Sequence, residues 1–335
     1  MLRAGETFKS DYCLFRLCSG ASRIMQLMSI PGAIIVLMIG NLARVAQLYA
    51  LTSVCLACGS DGTTDPPPTG SGPQIEVRYL STLTPSQQNA VSAAADKWMR
   101  ALSKNLGDFR FKSAAADCFP DEPALDETHH NLLLFVSTGD VDGPGGAYAL
   151  TTICSISSQD TLPVLARIRL DRADLDSMEA RGTLQGIILH EMGHALGFSP
   201  GTYVPKGLSS GGVDDPVFVG VTARSEFAKH GAWYTGVTVP LENSTGQGPR
   251  DPHWRLSVFG DELMVSVVGR GFKSPLSSIT LGFFKDIGYD VDFSVADPYE
   301  VVPFFPNNRM IPEASLRDDF VMIAPPRFVS PVISR

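Results

Sequence analysis

Apolar and polar positions alternate along Ile75–Leu80, the period of a strand with one buried face. Thr84-Pro-Ser-Gln87 then reads as a helix start, with Thr84 at the N-cap, Pro85 at the first position and Gln87 able to close a capping box. The helix is predicted to run to about Leu102, with Val91, Ala95, Trp98 and Leu102 on one face. Phe109–Phe111 fits a short strand, and the unbroken apolar run Leu132–Val136 fits a central one. Asp142-Gly-Pro-Gly-Gly146 forces a loop, after which Ala147–Ile153 is predicted to return as an edge strand. Val164–Leu170 is a further strand, with Val164, Ala166, Ile168 and Leu170 on one face. The segment Gly182–Gly197 reads as a helix that Gly197 stops in the left-handed conformation. From there to Pro252 the chain is rich in Gly, Pro and Ser without a readable period; Ser278–Ile287 reads as one more helix, ended by Gly288. Residues 299–335 hold six prolines and are expected to form an extended tail. This order of elements, with no internal repeat, predicts an α+β domain.

The 335 residues are 44% hydrophobic and 19% charged, the balance of a globular chain. Lys and Arg number 27 against 35 Asp and Glu, a net charge of −8, so no nucleic-acid partner is expected. Residues 24–58 carry Arg44 as their one charged side chain. The run Val45–Ala57 reads as the apolar core of a secretory signal, and Cys58-Gly-Ser-Asp, followed by a Pro/Gly/Thr-rich tether over 59–73, resembles a bacterial lipoprotein site with Cys58 lipidated. Cys55 departs from that pattern, which prefers Leu at its position. Translation starting at Met38 would give the signal an ordinary length, with Arg44 as its positive region. A transmembrane anchor or soluble export are the alternatives; all three place the folded part outside the cytoplasm, with the membrane touched only through the N-terminal lipid or anchor. Loss of residues 1–57 removes five basic and two acidic residues and leaves a net charge of −11. Cys118 and Cys154 then remain in the folded part. In an oxidising compartment they are most simply a disulfide; two buried thiols, or one thiol blocking a metal in a latent enzyme, are the alternatives.

His190-Glu-Met-Gly-His194 carries the chemistry. Four helical residues advance about 400°, so His190 and His194 share a face one turn apart, and Glu191 stands about 100° away, beside a shared ion. Zinc suits two imidazoles and an open coordination position, where a water can be activated with Glu191 as general base. Ile187, Ile188 and Leu189 are apolar, which argues for a buried helix rather than a surface one.

Two histidines leave such a site one ligand short. Gly197, three residues after His194, matches the metzincin clan of zinc proteases, but the position where most of that clan place the third His is Pro200. His253, in Asp251-Pro-His-Trp-Arg255 and followed by Gly260-Asp-Glu-Leu-Met264, resembles the leishmanolysin family of metzincins, in which a long insertion precedes the third ligand. Asp142–Gly146, Ser278–Leu281, Asp286–Tyr289 and Ala296–Tyr299 echo bacterial members of that family, so the resemblance covers roughly residues 75–300.

The resemblance implies a zincin with a twisted mixed sheet and an active-site helix (residues 74–197), then an irregular C-terminal subdomain (198–298). It implies His190, His194 and His253 as ligands of one catalytic zinc, Glu191 as base and Met264 packed beneath the ligands. It also implies that Gly197 turns the chain back and that Cys118 pairs with Cys154. The activity implied is zinc-dependent endopeptidase action on a protein or peptide lying along the Ala147–Ile153 edge. A catalytically silent zinc-containing surface lipoprotein, used for binding or adhesion, is the alternative from another class. A hydrolase of non-peptide amides is a third. His129 and His130 are expected to be exposed loop residues, and His230 a partly positive imidazole at a helix end. Asp140 and Asp142 read as solvated turn carboxylates rather than calcium ligands, and Trp254 as a packing anchor for the His253 loop.

Overall fold

The structure, a computed structural model, describes residues 75–230, 238–244, 251–267, 273–301 and 327–332. The signal, Cys58, the tether and most of the tail lie outside the described residues. Pro66–Arg335 forms one compact unit. Strand β1 (Ile75–Tyr79) leads into α1 (Pro85–Ala101), followed by β2 (Asp108–Ser113), β3 (Leu125–His130), β4 (Leu132–Gly139), β5 (Ala149–Ser157) and β6 (Pro163–Asp171). Helices α2 (Leu175–Arg181) and α3 (Leu184–Ala195) come next, then α4 (Val221–Ala228), α5 (Ser278–Ile287) and a final strand, β7 (Arg327–Val329).

The main sheet has the order β1-β4-β6-β5-β7. β1, β4 and β6 are parallel, with Ile75 opposite Leu132 and Leu134 opposite Ala166, while β5 runs antiparallel to β6 with Thr151 opposite Ile168. The sheet is therefore mixed, and with its helices gives the α+β architecture expected. β4 sits inside it with Leu132–Ser137 buried, which is why its sequence is an apolar run and not an alternation. β2 and β3 form a separate hairpin pair.

Helix α1 starts as its sequence requires. The Thr84 side chain accepts from the Gln87 N–H, the Gln87 side chain accepts from the Thr84 N–H, and Pro85 fills the first position. Its buried stripe includes Val91, Ala95 and Trp98, and the Trp98 indole donates to the Leu189 carbonyl (2.8 Å), pinning α1 to α3. α3 packs between α1 and strands β5 and β6. It has no solvent-facing side from Ile187 onward, so its apolar residues do not form a single stripe. Among the described residues no helix is long and apolar enough to cross a membrane.

Several boundaries differ from the sequence reading. The segment read as one helix from Gly182 instead begins at Leu184: Gly182 takes φ 68° and ends α2, a helix the reading missed. β5 is an edge only in part, because β7 pairs with Ser155–Ser157; among the described residues the outer edge of Ala149–Cys154 carries no strand. His129 and His130 lie in β3, not in a loop. His129 is 5% exposed, its Nδ1 at 3.0 Å from Glu76 and its Nε2 at 3.1 Å from Glu127, because β3 folds against β1; His130 is exposed as expected. His230 follows α4 by two residues, but burial holds it below its ordinary pKa, which works against the partly positive ring expected.

Candidate metal centre

Helix α3 puts His190 and His194 one turn apart, as their spacing requires, with ring centroids 4.5 Å from each other. The helix then stops abruptly. Gly197 at φ 118° lets the Phe198 N–H reach back to the Gly193 carbonyl (2.9 Å) and its own N–H to the His194 carbonyl (3.0 Å), the six-to-one and five-to-two pair of a Schellman end. A side chain at 197 would also meet Ile287 and Pro163, so the position needs glycine twice over. The reversed chain delivers the Phe198 carbonyl to His194 Nδ1 (2.7 Å).

His253 arrives from 59 residues beyond His194 and its ring lies 5.4 Å from His190 and 5.1 Å from His194, centroid to centroid. Its segment is held on two sides. The Glu242 N–H donates to the His253 carbonyl (2.9 Å) and the Trp254 N–H to the Met264 carbonyl (2.9 Å). Trp254 is fully buried, stacked on Phe259 and edge-on to Phe198, which makes it the packing anchor expected. Met264 is also fully buried and lies under α3: a Cβ built at Gly193 would stand 2.7 Å from its sulfur.

The three imidazoles offer nitrogen atoms within 4.8 Å of one another, and all three rings are buried. Each Nδ1 has its own acceptor: the Leu263 carbonyl for His190 (2.6 Å), the Phe198 carbonyl for His194 (2.7 Å) and the Asp251 carboxylate for His253 (3.0 Å). Carbonyls and carboxylates only accept, so every Nδ1 carries a hydrogen, and in a neutral ring Nε2 then presents a lone pair. His190 and His194 aim those lone pairs at each other across 2.9 Å, and the His253 Nε2 is buried without a hydrogen-bond partner. Three ring nitrogens converging in a buried place could hold a cation, and outer acceptors of this kind are the usual supports of metal-bound imidazole. Burial and the mutual presence of the rings hold His190 down to about pKa 3 and His194 well below its ordinary value, so both are neutral, the form that ligates. The donor set, three imidazoles with no sulfur, fits zinc with one position left open.

Glu191 stands beside this cluster, 1% exposed. Its Oε2 accepts from the Thr151 hydroxyl on β5, while its Oε1 is buried with no hydrogen-bond partner. Burial raises its pKa to about 7, against the lowering effects of Thr151 and His253. The Gly-rich loop before β5 is tied down by buried carboxylates: Asp171 accepts from the Asp142 and Gly143 N–H groups, and Asp174 from that of Gly145. Asp142 in turn accepts from the Ala147 N–H, and Asp140 is exposed and lies 3.6 Å from Arg172. Cys118 and Cys154 are disulfide-bonded, linking the loop after β2 to β5.

Thr151, Asp251, Asp171 and Asp174 were not singled out as site residues from the sequence. Asp251 had a readable signal, a carboxylate two residues before a candidate ligand; Thr151 had none, because its role depends on which residue β5 lays over α3.

The sequence pattern of the leishmanolysin (peptidase M8) family matches residues 124–305, more than half of the chain. A leishmanolysin of Leishmania chagasi is 29% identical over 182 residues, covering 52% of this chain and 29% of that protein. A leishmanolysin homolog of Crithidia fasciculata is 27% identical over 166 residues, 48% of this chain and 24% of its own. A leishmanolysin of Leishmania major is 27% identical over 186 residues, 53% and 29% of the two chains. The matched part thus spans under a third of the length of these relatives. The match includes β5, the α3 motif, His253 and Met264, and on it the chain belongs to the leishmanolysin family.

Proposed function

We propose that this chain is a zinc-dependent endopeptidase in which His190, His194 and His253 hold one ion and Glu191 is the general base. The observation that carries the reading is a pair of buried polar atoms without a hydrogen-bond partner, Glu191 Oε1 and His253 Nε2, beside the converging Nε2 atoms of His190 and His194. A zinc ion bound there supplies Lewis acidity toward a water and toward a peptide carbonyl. Thr151 holds one oxygen of Glu191 and leaves the other without a hydrogen bond. A carboxyl with pKa near neutrality can take the proton of the attacking water and return it to the leaving amine. An extended substrate strand would lie along the outer edge of Ala149–Cys154, which pairs with no described strand and is buried except at Leu150.

The silent-lipoprotein alternative has no use for Glu191, since a purely structural zinc prefers four protein ligands and no base. The Cys118–Cys154 bond supports placement outside the cytoplasm, by export or lipid anchoring at Cys58. The division at Gly197 into an N-terminal catalytic subdomain and a C-terminal subdomain carrying the third ligand belongs to the same proposal. Incubation of the purified chain with a denatured protein tests the activity. Cleavage should stop with a chelator and return with zinc; cleavage undiminished in Glu191→Gln would overturn the mechanism.

A further inference from the structure

Glu262 is 1% exposed and takes no part in the chemistry above, yet four donors converge on its carboxylate. The Met264 N–H reaches Oε2 at 2.6 Å; the Ser277 N–H (3.2 Å), the Ser277 hydroxyl (2.6 Å) and the Thr280 hydroxyl (2.5 Å) reach Oε1. One anion therefore joins the turn at residues 262–264 to the N-terminus of α5, where Ser277 also caps the Thr280 N–H.

Both ends of this network lead to the histidines. The turn it closes carries the Leu263 carbonyl, the acceptor that orients His190 Nδ1. It also carries Met264, whose carbonyl receives the Trp254 N–H and whose side chain lies under Gly193. At the other end the Thr280 hydroxyl, while donating to Glu262, accepts from the Trp254 indole (2.9 Å), and Trp254 is the residue next to His253. The path Glu262–Thr280–Trp254 thus fixes the distant third imidazole, and Glu262–Leu263 fixes the first. Burying a carboxylate among apolar rings is costly unless its lone pairs are filled. Holding two backbone segments in one register is what this carboxylate achieves for that cost.

We propose that Glu262 is a positioning residue for the metal centre, acting on His190 through the Leu263 carbonyl and on His253 through Thr280 and Trp254. The inference rests on the reading of the triad as a zinc site. In Glu262→Gln an amide N–H₂ or a carbonyl must face the Met264 N–H and the two hydroxyls at once. Whichever way the amide turns, one donor loses its acceptor.

The test is zinc affinity of the full chain by chelator competition, with the visible absorption of the cobalt-loaded chain as a second readout of ligand geometry. Each variant's melting is measured in chelator. Wild type should bind one zinc. Glu262→Gln should bind at least about tenfold more weakly and shift the cobalt bands, as loss of outer supports does at other sites. Thr280→Val should weaken binding by a smaller factor, and Thr280→Ser, which keeps the hydroxyl, should bind like wild type. Thr84→Ala, which removes the α1 cap, should lower melting without changing zinc affinity, so that lost stability alone is separated from lost positioning. Folded Glu262→Gln with wild-type affinity and spectrum would overturn the proposal. If that variant does not fold, Thr280→Val decides, and unchanged affinity overturns it. A wild-type chain that takes up no zinc would instead bring down the reading of the triad itself.

Discussion

Two glycines in α3 should respond in opposite directions to the same substitution. A Cβ at Gly193 would lie 2.7 Å from the Met264 sulfur, 3.0 Å from its methyl and 3.2 Å from Trp98. Met264 and Trp98 are fully buried, so neither has room to retreat without moving other atoms. Overpacking of this kind costs about 1–3 kcal/mol. A Cβ at Gly186, in the first turn of the same helix, meets nothing nearer than Ser274 at 3.8 Å, an ordinary contact. There Ala restricts the unfolded chain and should stabilise by about 0.4–1 kcal/mol. Both substitutions share the backbone effect, so their difference isolates the overlap beneath the histidines. At about 2–4 °C per kcal/mol, Gly193→Ala should melt some 2–12 °C below Gly186→Ala. The assay is thermal unfolding in chelator, which removes any contribution from bound metal. Equal shifts in the two variants, or a Gly193→Ala chain that outlasts Gly186→Ala, would refute the claim that Met264 and Trp98 close tightly on the helix.

Removing the disulfide with Cys118→Ser and Cys154→Ser frees a loop of 36 residues' separation and should cost about 4 kcal/mol, seen as a fall of roughly 8–15 °C in melting. Asp251→Asn leaves a shape-matched acceptor without its charge on His253 and should weaken zinc binding about tenfold or more by chelator competition. Arg78 pairs with Glu76 (2.9 Å) and Glu127 (2.6 Å), and both carboxyls lie below their ordinary pKa of 4.5, lowered by Arg78 and His129. That stabilisation is present above pH 4.5 and disappears as the carboxylates protonate in the folded state. Arg78→Met should therefore lose at most about 1 kcal/mol at pH 7, given solvent screening, and the gap to wild type should close on acidification, as denaturant titration at several pH values will show.

What could be read in the sequence is what depends on neighbours along the chain. The α1 cap needs only Thr84, Pro85 and Gln87, and the histidine pair needs only the helical period and a stop at Gly197. α2 was missed because Leu175–Arg181 is too short to show a period and Gly182 stops it where the reading began the next helix. His129 was misplaced because its partner Glu76 lies 53 residues away, on β1, and no local pattern shows that contact. The same holds at the metal centre. Thr151, Asp251 and Glu262 act through contacts that exist only once β5, the His253 segment and α5 have closed around α3, and no local period encodes them. The third candidate ligand was read from a family likeness, since 58 residues without a readable sequence period separate His253 from His194.

The account stands on one ion shared by three imidazoles from two distant segments. Elemental analysis of the purified chain, wild type beside His253→Phe, addresses that most directly. The account predicts one zinc per wild-type chain and its loss, or a large drop in affinity, in the variant with the fold retained. A wild-type chain without zinc, or a variant that holds it equally well, would contradict it.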